Sequence, residues 1–345
     1  MCKKNEQLLE KLRRMSTEER AALVERVYVK FPKIIDLLAK IRHCLEFSKI
    51  SAEPECMVIK GNLGLGKTTL GKAFARNYPR KVTDEATIIP VLLVKVPVPA
   101  TVKGFTSQIL RAFGDVAFNK GSTIIQTLRI YDYVRDYKTD LIIFDDFQHF
   151  IDRDSLLVLR TLSDWLKNLI DETRKPIVVV GMPSCDAVLD EPQNEQLKRR
   201  FSIREVLEPF SWKNKEERSR LRHFLDLVDD QLPFLECSHL ANFKTAYLMH
   251  KATGGTIAYI MKLIRRAAAL ALRDGVEIID YDHLAQAYEE LLAKNNPRMP
   301  NPFIIVAART ERKQSPKTPS SARTTSNRVR GRKKPLTPSD VLKKR

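Results

Sequence analysis

The sequence lacks any apolar run near the roughly 20 residues that a membrane-spanning helix requires. Residues 1–14 mix charged residues with leucines and contain no short apolar segment of the secretory type. The five cysteines are scattered, with no C-x-x-C pair and no cysteine–histidine cluster of zinc spacing. These absences argue against membrane, secreted and zinc-binding classes, and we expect a cytoplasmic protein with reduced thiols and no membrane partner.

Positive charge is concentrated at one end of the chain. The 345 residues carry a formal net charge of +18. Residues 309–345 contain thirteen lysines and arginines against two acidic residues, so this segment contributes +11. Such an imbalance indicates a polyanionic partner, for which nucleic acid is the commonest choice. A solubilising tail that binds nothing specific is the alternative.

The spacing of apolar residues divides the chain into parts. Ser16 and Glu19 form a capping-box signature before a helical pattern, and Asp280 has the character of a helix cap. Short apolar runs that alternate with helices predict a doubly wound parallel sheet of the α/β class. We predict an N-terminal helical lead-in, a nucleotide-binding α/β domain, a helical lid and a basic disordered tail, at residues 1–50, 51–208, 209–295 and 296–345.

A glycine-rich stretch follows the first apolar strand. Residues 61–68 read GNLGLGKT, match the P-loop pattern G-x-x-x-x-G-K-[ST] in full and lead into a helix. Glycines let the backbone wrap phosphates with N–H groups pointing inward, and the helix start adds positive partial charge. Lys67 is predicted to reach the β- and γ-phosphates of ATP, and Thr68 to ligate Mg²⁺. The predicted nucleotide-binding residues are Gly61, Asn62, Leu63, Gly64, Leu65, Gly66, Lys67, Thr68 and Thr69.

A later apolar strand ends in two carboxylates. Residues 141–146 read LIIFDD, the form in which the first acid holds the magnesium hydration shell. We predict that Asp145 binds Mg²⁺ from a strand beside the P-loop strand. Asp146 is the predicted catalytic residue that polarises the attacking water. A solvated carboxylate at a strand end is the alternative for Asp146.

The segment NEQLKRRF at residues 194–201 places basic side chains near a helix end. In an oligomeric ATPase, an arginine at such a position can reach the γ-phosphate bound to the neighbouring subunit. We predict this arginine-finger role for Arg200, with Arg199 as the second choice. An ordinary charged helix face is the alternative, because one sequence does not establish oligomerisation.

Three polar residues on loops are candidates for DNA contact. Lys103 follows the second core strand, and Lys120 and Ser122 flank Gly121 in a later loop. Lysines and hydroxyls on loops that face a shared channel suit contact with a phosphate backbone without base reading. We predict DNA binding by Lys103, Lys120 and Ser122, with ordinary solvated surface as the alternative.

In this order the motifs resemble those of an AAA+ ATPase, and more narrowly those of the TnsC/TniB family of transposon-encoded target-selection ATPases. The resemblance extends from about Pro32 to Phe303. The P-loop and the acidic strand are generic to the ATPase class. The features that point to the family are NEQLKRRF, the helix TGGTIAYIMKLIRRAA and the closing Asn301-Pro302-Phe303.

The resemblance implies a regulator that uses ATP and Mg²⁺ to form a homo-oligomer, ring or filament, on double-stranded DNA. It implies that this oligomer marks a target site, recruits a transposase and contacts a TniQ/TnsD-type target-selection protein, and that hydrolysis disassembles it. At matching positions it implies nucleotide, magnesium, finger and DNA roles for Lys67, Thr68, Asp145, Arg200, Lys103, Lys120 and Ser122.

Three positions depart from the family pattern. Asp146 stands where the family usually has glutamate, and Tyr259 stands where the second sensor helix often has arginine. Met182 stands at the first sensor position, where a polar residue is expected, which leaves Ser184 as the nearest substitute for nucleotide contact. All three changes weaken hydrolysis more than binding, so we expect a slow switch.

Two other functions remain open from the sequence. One is a DNA-bound scaffold that uses ATP as a structural ligand without significant hydrolysis. The other is a replication-initiator or helicase-loader ATPase of the same superfamily.

Overall fold

A computed structural model describes residues 4, 6–51, 53–151, 156–190, 195–295 and 300–304. These residues belong to one compact unit. Among them, no helix has both the length and the apolar character of a transmembrane span.

The described strands are short. They are β1 (Met57–Gly61), β2 (Lys81–Val82), β3 (Thr87–Ile88), β4 (Val91–Lys95), β5 (Leu141–Asp145), β6 (Ile177–Gly181) and β7 (Ile203–Leu207). Five of them form a parallel sheet in the order β4-β5-β6-β1-β7, and β2 and β3 form a separate antiparallel pair. This sheet confirms the predicted α/β class.

Helices connect and surround the strands. They are α1 (Glu6–Arg13), α2 (Thr17–Arg26), α3 (Pro32–Phe47), α4 (Lys67–Ala75), α5 (Val102–Phe113), α6 (Thr123–Asp136), α7 (Leu156–Thr173), α8 (Asp186–Leu189), α9 (Glu195–Arg200), α10 (Lys215–Gln231), α11 (Phe243–Thr253), α12 (Ile257–Arg273) and α13 (Tyr281–Leu291). The capping box at Ser16 and the cap at Asp280 are both confirmed.

Alternate residues of each core strand enter two different hydrophobic clusters. Ile59 and Ile143 belong to the cluster that includes α3, α4 and the C-terminal helices. Val58 and Phe144 belong to the other cluster, with α5, α6 and α7. Because successive side chains of a strand point to opposite faces, continuous apolar runs are required when both faces are covered. The sheet is therefore buried between two helical layers.

The N-terminal helices pack against the C-terminal ones. Helix α2 lies on α12. Arg20 on α2 is buried, and its Nε donates to Pro233 O at 2.7 Å. The same guanidinium donates to Glu277 through Nη1 at 2.8 Å and also through Nη2. This bidentate pair fixes the lead-in to the lid, so these two predicted parts are joined by direct contact.

The predicted tail begins too early. Asn301 and Phe303 are buried, and Asn301 Nδ2 donates to Ala285 O on α13 at 2.9 Å. Phe303 N donates to Asn301 Oδ1 at 3.0 Å. These residues are docked on the helical region, not part of a disordered tail from 296. The remaining tail prediction concerns residues 305–345, which lie outside the described part of the chain.

The expectation of reduced cysteines is wrong for Cys237. Cys44, Cys56 and Cys185 are free and buried, whereas Cys237 is disulfide-bonded. Burial raises the pKa of each of the three free thiols to about 12. These three thiols are therefore unreactive packing residues at neutral pH.

Candidate functional site

The glycine-rich loop joins β1 to α4 at the carboxyl edge of the sheet. A Cβ at Gly61 would lie 2.6 Å from Leu207 O, so a side chain here would displace β7 from the loop. Gly64 and Gly66 have φ of +79° and +89°, which other residues rarely adopt. A Cβ at Gly66 would meet no heavy atom of the described chain within 4 Å. The loop is therefore an open backbone cradle ahead of α4.

Lys67 begins α4 and is folded into this cradle. Only 7% of the residue is exposed, and Nζ donates to Gly61 O at 2.7 Å and to Asn62 O at 2.8 Å. Burial lowers the pKa of Lys67, while the Asp145 and Asp146 carboxylates act in the opposite direction. Because Nζ is held by neutral carbonyls, a phosphate could replace these contacts with stronger charge-assisted ones.

The other loop residues differ in exposure. Thr68 is half-buried and follows Lys67 on α4. Leu65 is 2% exposed and packs into the core. The side chains of Asn62, Leu63 and Thr69 are exposed. Any contact of these three with a nucleotide stays a prediction.

Asp145 is the last residue of β5 and is 4% exposed. The expectation that its strand lies beside the P-loop strand is wrong, because β6 lies between β5 and β1. Asp145 is nevertheless joined to the loop, since Thr68 hydrogen-bonds its carboxylate. Burial raises the pKa of Asp145, and the Thr68 hydrogen bond opposes this effect. Among the described residues, no group hydrogen-bonds its buried Oδ1.

Asp146 has a left-handed backbone, with φ of +56° and ψ of +38°. Lys95 Nζ lies 2.8 Å from Asp146 Oδ2, and Gln148 Nε2 donates to Oδ1 at 3.3 Å. Burial acts to raise the pKa of Asp146, but the hydrogen bonds from Lys95 and Gln148 outweigh it and the pKa is lowered. Asp146 is therefore an ionised carboxylate with an oriented side chain. The sequence reasoning did not identify Lys95 or Gln148.

These residues fit a magnesium–triphosphate group. A buried carboxylate oxygen without a partner is costly unless something else satisfies it, and Asp145 Oδ1 is such an atom, on the carboxylate with which Thr68 interacts. Carboxylate and hydroxyl oxygens are the ligands that Mg²⁺ prefers, and it usually binds with phosphates and water instead of a full protein cage. The described residues contain no group of three or more His, Cys, Asp or Glu side chains that could hold a metal ion by themselves.

The positions expected to sense nucleotide lie on two elements. Met182 follows β6 and is half-buried, and Ser184 is exposed two residues later. Tyr259 lies in the first turn of α12 and is 44% exposed. Immediately before it, Ala258 N donates to Gly64 O at 2.8 Å. The start of α12 therefore contacts the P-loop through the backbone, a link that the sequence did not reveal.

The arginines of α9 lie at the opposite edge of the sheet from the P-loop. Cys56 N donates to Arg200 O at 2.9 Å, which places Arg200 beside the start of β1. The P-loop follows the end of β1, roughly 16 Å away at about 3.3 Å per residue. The Arg200 side chain is 12% exposed and forms an ion pair with Asp171, whereas that of Arg199 is 80% exposed. Arg199 has only an exposed contact with Glu195 at 3.8 Å, whereas Arg200 is held in a largely buried pair, so this placement disfavours Arg200 as the finger.

The predicted DNA-contact residues lie together at one end of the α5–α6 pair. The buried Gln126 on α6 joins them: its Nε2 donates to Lys120 O at 3.4 Å, and its Oε1 accepts from Thr106 Oγ1 at 2.5 Å. Thr106 Oγ1 is also 2.9 Å from Lys103 O. Ser122 caps α6, where its hydroxyl accepts from Ile125 N at 3.4 Å. Lys103, Lys120 and Ser122 are all exposed.

Two kinds of comparison bear on this fold. A family model described as "Bacterial TniB protein" matches residues 19–213, more than half of the chain. No curated protein sequence matches the chain.

Among solved structures, the chain is similar to Cdc6p from Pyrobaculum aerophilum, with 16% identity, a TM-score of 0.58 and coverage of 81% of this chain and 74% of that one. It is also similar to the Aeropyrum pernix ORC2 protein in its ADPNP–ADP complexes, with 17% identity, a TM-score of 0.54 and coverage of 73% and 66%. It is similar as well to the ORC1 protein of the same organism in complex with DNA, with 17% identity, a TM-score of 0.53 and coverage of 74% of this chain and 64% of that one. The chain spans less than two thirds of both ORC proteins, and at these identities the likeness concerns the fold alone.

Proposed function

The chain belongs to the TniB family and is a TniB-type AAA+ ATPase, and from this premise we propose that it is an ATP-dependent switch that assembles on double-stranded DNA to regulate transposition. In this proposal ATP and Mg²⁺ are held by the P-loop, Thr68 and Asp145. The assembled oligomer marks a target site and recruits a transposase, in contact with a TniQ/TnsD-type protein.

One observation carries the proposal: the nucleotide groups and the α9 arginines lie at opposite edges of one sheet. Lys67 and Asp145 are at the carboxyl edge. Arg199 is beside the amino end of β1, beyond reach of the same subunit's phosphates. An exposed arginine so placed can complete only another subunit's site. ATP between adjoining copies would then link nucleotide binding to assembly.

Exposure decides between the two arginines. Arg200 would have to leave Asp171 before it could reach a neighbour, whereas Arg199 would leave only a solvent-exposed contact with Glu195 at 3.8 Å, which costs little. We therefore assign the proposed finger to Arg199 and expect Arg199→Ala to reduce hydrolysis more than Arg200→Ala. The opposite order would restore the role that the sequence suggested for Arg200.

The proposed DNA surface combines charge with helix ends. Lys103 and Ser122 lie at the starts of α5 and α6, which Gln126 keeps adjacent. Helix N-termini favour phosphate, and the exposed lysines add positive charge. None of these groups requires a base edge, so we expect binding to duplexes of unrelated sequence.

The protein is proposed to hydrolyse ATP slowly. Met182 offers no strong hydrogen-bonding group at the end of β6, and Tyr259 offers no cationic group at the start of α12. The groups proposed to bind ATP are nevertheless present, with Lys67 at the start of α4 and Asp145 at the end of β5. We therefore expect the protein to bind ATP tightly and to hydrolyse it slowly. Slow hydrolysis would let ATP act as a timer for disassembly.

The test measures association with two labelled duplexes of unrelated sequence, with ATP and Mg²⁺, with ADP or with no nucleotide. We expect ATP to increase both oligomer size and DNA affinity, and added salt to weaken binding to both duplexes. Lys67→Ala should bind DNA weakly and show no response to ATP. Phosphate release distinguishes the switch from a scaffold that only binds ATP.

Equal oligomer size and equal DNA affinity with and without nucleotide would refute the proposed switch. The transposition role has its own measurement, the capture of purified transposase and TniQ-type protein on DNA. Capture is expected only when this protein and ATP are both present. Loss of that dependence, with ATP-driven DNA binding intact, would favour the helicase-loader alternative.

A further inference from the structure

Gln148 lies between the ends of β5 and β6 at the carboxyl edge of the sheet. It follows β5 in the short turn Phe147–Phe150, and only 6% of it is exposed. Its Oε1 accepts a hydrogen bond from Met182 N at 3.2 Å, just after β6. Its Nε2 donates to Asp146 Oδ1 at 3.3 Å. One buried amide therefore connects the carboxylate after β5 to the backbone after β6.

The orientation of this amide is fixed by chemistry. The Met182 N–H can only donate, so the amide must present its oxygen to Met182 and its NH₂ to Asp146. Gly181 permits the approach, because a Cβ there would lie 3.1 Å from Gln148 Oε1 and 2.3 Å from Cys185 Sγ. The hydrogen bond between Met182 N and Gln148 Oε1 therefore depends on the absence of a side chain at Gly181, the last residue of β6.

The other donor to Asp146 is less constrained. The Lys95 side chain is 65% exposed and ends in a flexible ammonium group. The Gln148 amide is buried and is held at both ends. Of these two donors, Gln148 is therefore the one that can fix the direction of the Asp146 carboxylate. Met182 itself contributes a backbone N–H to this arrangement and no polar side-chain group.

We propose that Gln148 is a positioning residue for ATP hydrolysis, which holds the Asp146 carboxylate against the end of β6. The inference rests on the proposed ATP hydrolysis and on the role that the sequence predicts for Asp146, which is to polarise the attacking water. Within the described part of the chain, Gln148 forms no hydrogen bond with a P-loop residue. Its loss therefore affects turnover and leaves nucleotide affinity unchanged.

The test compares Gln148→Met with the wild-type protein in radiolabelled phosphate release and in equilibrium binding of a fluorescent ATP analogue. Methionine keeps the length of the side chain and removes both polar groups. We expect kcat to fall about 10- to 100-fold, as for other residues that orient a catalytic ligand, with unchanged KM and analogue affinity. Unchanged kcat would overturn the inference and leave the proposed function standing.

A double-mutant cycle with Asp146→Asn separates positioning from a purely structural role. If Gln148 acts through Asp146, Gln148→Met lowers the residual turnover of Asp146→Asn by much less than it lowers that of the wild type. An equal fold-decrease in both backgrounds would overturn the inference. Absence of turnover in the wild-type protein, with ATP bound, would overturn the proposed hydrolysis and this inference together.

Asn301→Leu serves as the matched control. It removes another buried amide, which joins Ala285 and Glu289 on α13 to Phe303. We expect a lower melting temperature and unchanged kcat per folded molecule, and an equal loss of kcat in this control would count against the inference. If Gln148→Met does not fold, Gln148→Glu keeps the acceptor for Met182 N–H and loses the amide donor. Its kcat should also fall, and unchanged kcat would overturn the role of the donor.

Discussion

Asp145 at the nucleotide edge and Asp229 on α10 are both withdrawn from solvent, with 4% and 1% of the residue exposed. Burial raises the pKa of both carboxyl groups. Asp229 accepts Ser238 N at 2.9 Å through one oxygen and Leu240 N at 3.1 Å through the other. Oδ1 of Asp145 has no such partner in the described residues. Both carboxylates are buried, and they differ in that Asp145 keeps an oxygen without a hydrogen-bond partner.

The physical reason lies in what each acid must do. A structural carboxylate reaches its lowest energy when its own chain supplies all hydrogen bonds, as the loop after α10 does for Asp229. A ligand-binding carboxylate must leave one oxygen free to accept a bond from the ligand. Burying that unpaired oxygen lowers the stability of the ligand-free fold. Of these two acids, Asp145 is therefore the one that has an acceptor left for a ligand.

The largest expected effect comes from Asp145→Asn. Loss of the anionic ligand should reduce hydrolysis about 1000-fold, equivalent to several kcal/mol of barrier. Because burial raises the pKa of Asp145, keeping this carboxylate ionised in the folded state costs folding free energy. The neutral amide should therefore leave the melting temperature without Mg²⁺ unchanged or higher. Phosphate release and thermal melting measure the two effects.

Asp229→Asn is the matched control for that substitution. An amide has one acceptor oxygen for the two backbone donors, so the free energy of unfolding should fall by about 1–3 kcal/mol. Hydrolysis per folded molecule should not change. If the two variants lost stability equally, the contrast between the two aspartates would be incorrect.

A pair of glycines gives the next largest effect. Gly255 has φ of +75°, and a Cβ there would lie 1.8 Å from Phe210 O. Gly255→Ala should cost about 2–4 kcal/mol of unfolding free energy, from left-handed strain and overpacking together. Gly66→Ala has only the strain, about 1–2 kcal/mol, but its Cβ enters the open cradle and should weaken ATP binding. Denaturant titration measures the two losses of unfolding free energy, and binding of an ATP analogue measures the affinity. A larger loss of stability in Gly66→Ala than in Gly255→Ala would contradict this prediction.

The smallest effect concerns pH. The hydrogen bond from Arg20 lowers the pKa of Glu277 below its usual 4.5. A lowered pKa means that the stabilisation is complete above pH 4.5 and is lost as the pH falls through the folded-state value. Glu277→Gln should therefore cost about 1 kcal/mol at neutral pH, since the pair is partly exposed. Melting curves from pH 7 to pH 3 should show the difference from wild type shrinking, and a constant difference would contradict the ion-pair explanation.

Some elements had no readable signal in the sequence. Strand β7 was not predicted because it is an edge strand whose residues are mostly half-exposed, so it lacks an apolar run. Helix α6 was not predicted either, since Ile124, Ile125 and Leu128 are exposed and blur its periodicity. Both elements matter, because β7 closes against the P-loop and α6 supports the predicted DNA surface.

The candidate site was predicted unevenly. Lys67, Thr68 and Asp145 belong to local patterns, which chemistry constrains within a few residues of sequence. Lys95 meets Asp146, and Gln148 meets Met182, only because β4, β5 and β6 are neighbours in the sheet. No local pattern encodes which side chains meet across strands, so these contacts required the structure.

The sequence by itself determined the α/β class, the P-loop and the acidic strand end, because apolar periodicity and the conformational needs of a phosphate-binding loop are local properties. The tertiary structure decided that Arg200 is paired and Arg199 exposed, that Asp145 keeps one unsatisfied oxygen, and that α12 contacts the P-loop. Each of these depends on groups far apart in the chain, whose distance is set by packing and not by sequence separation.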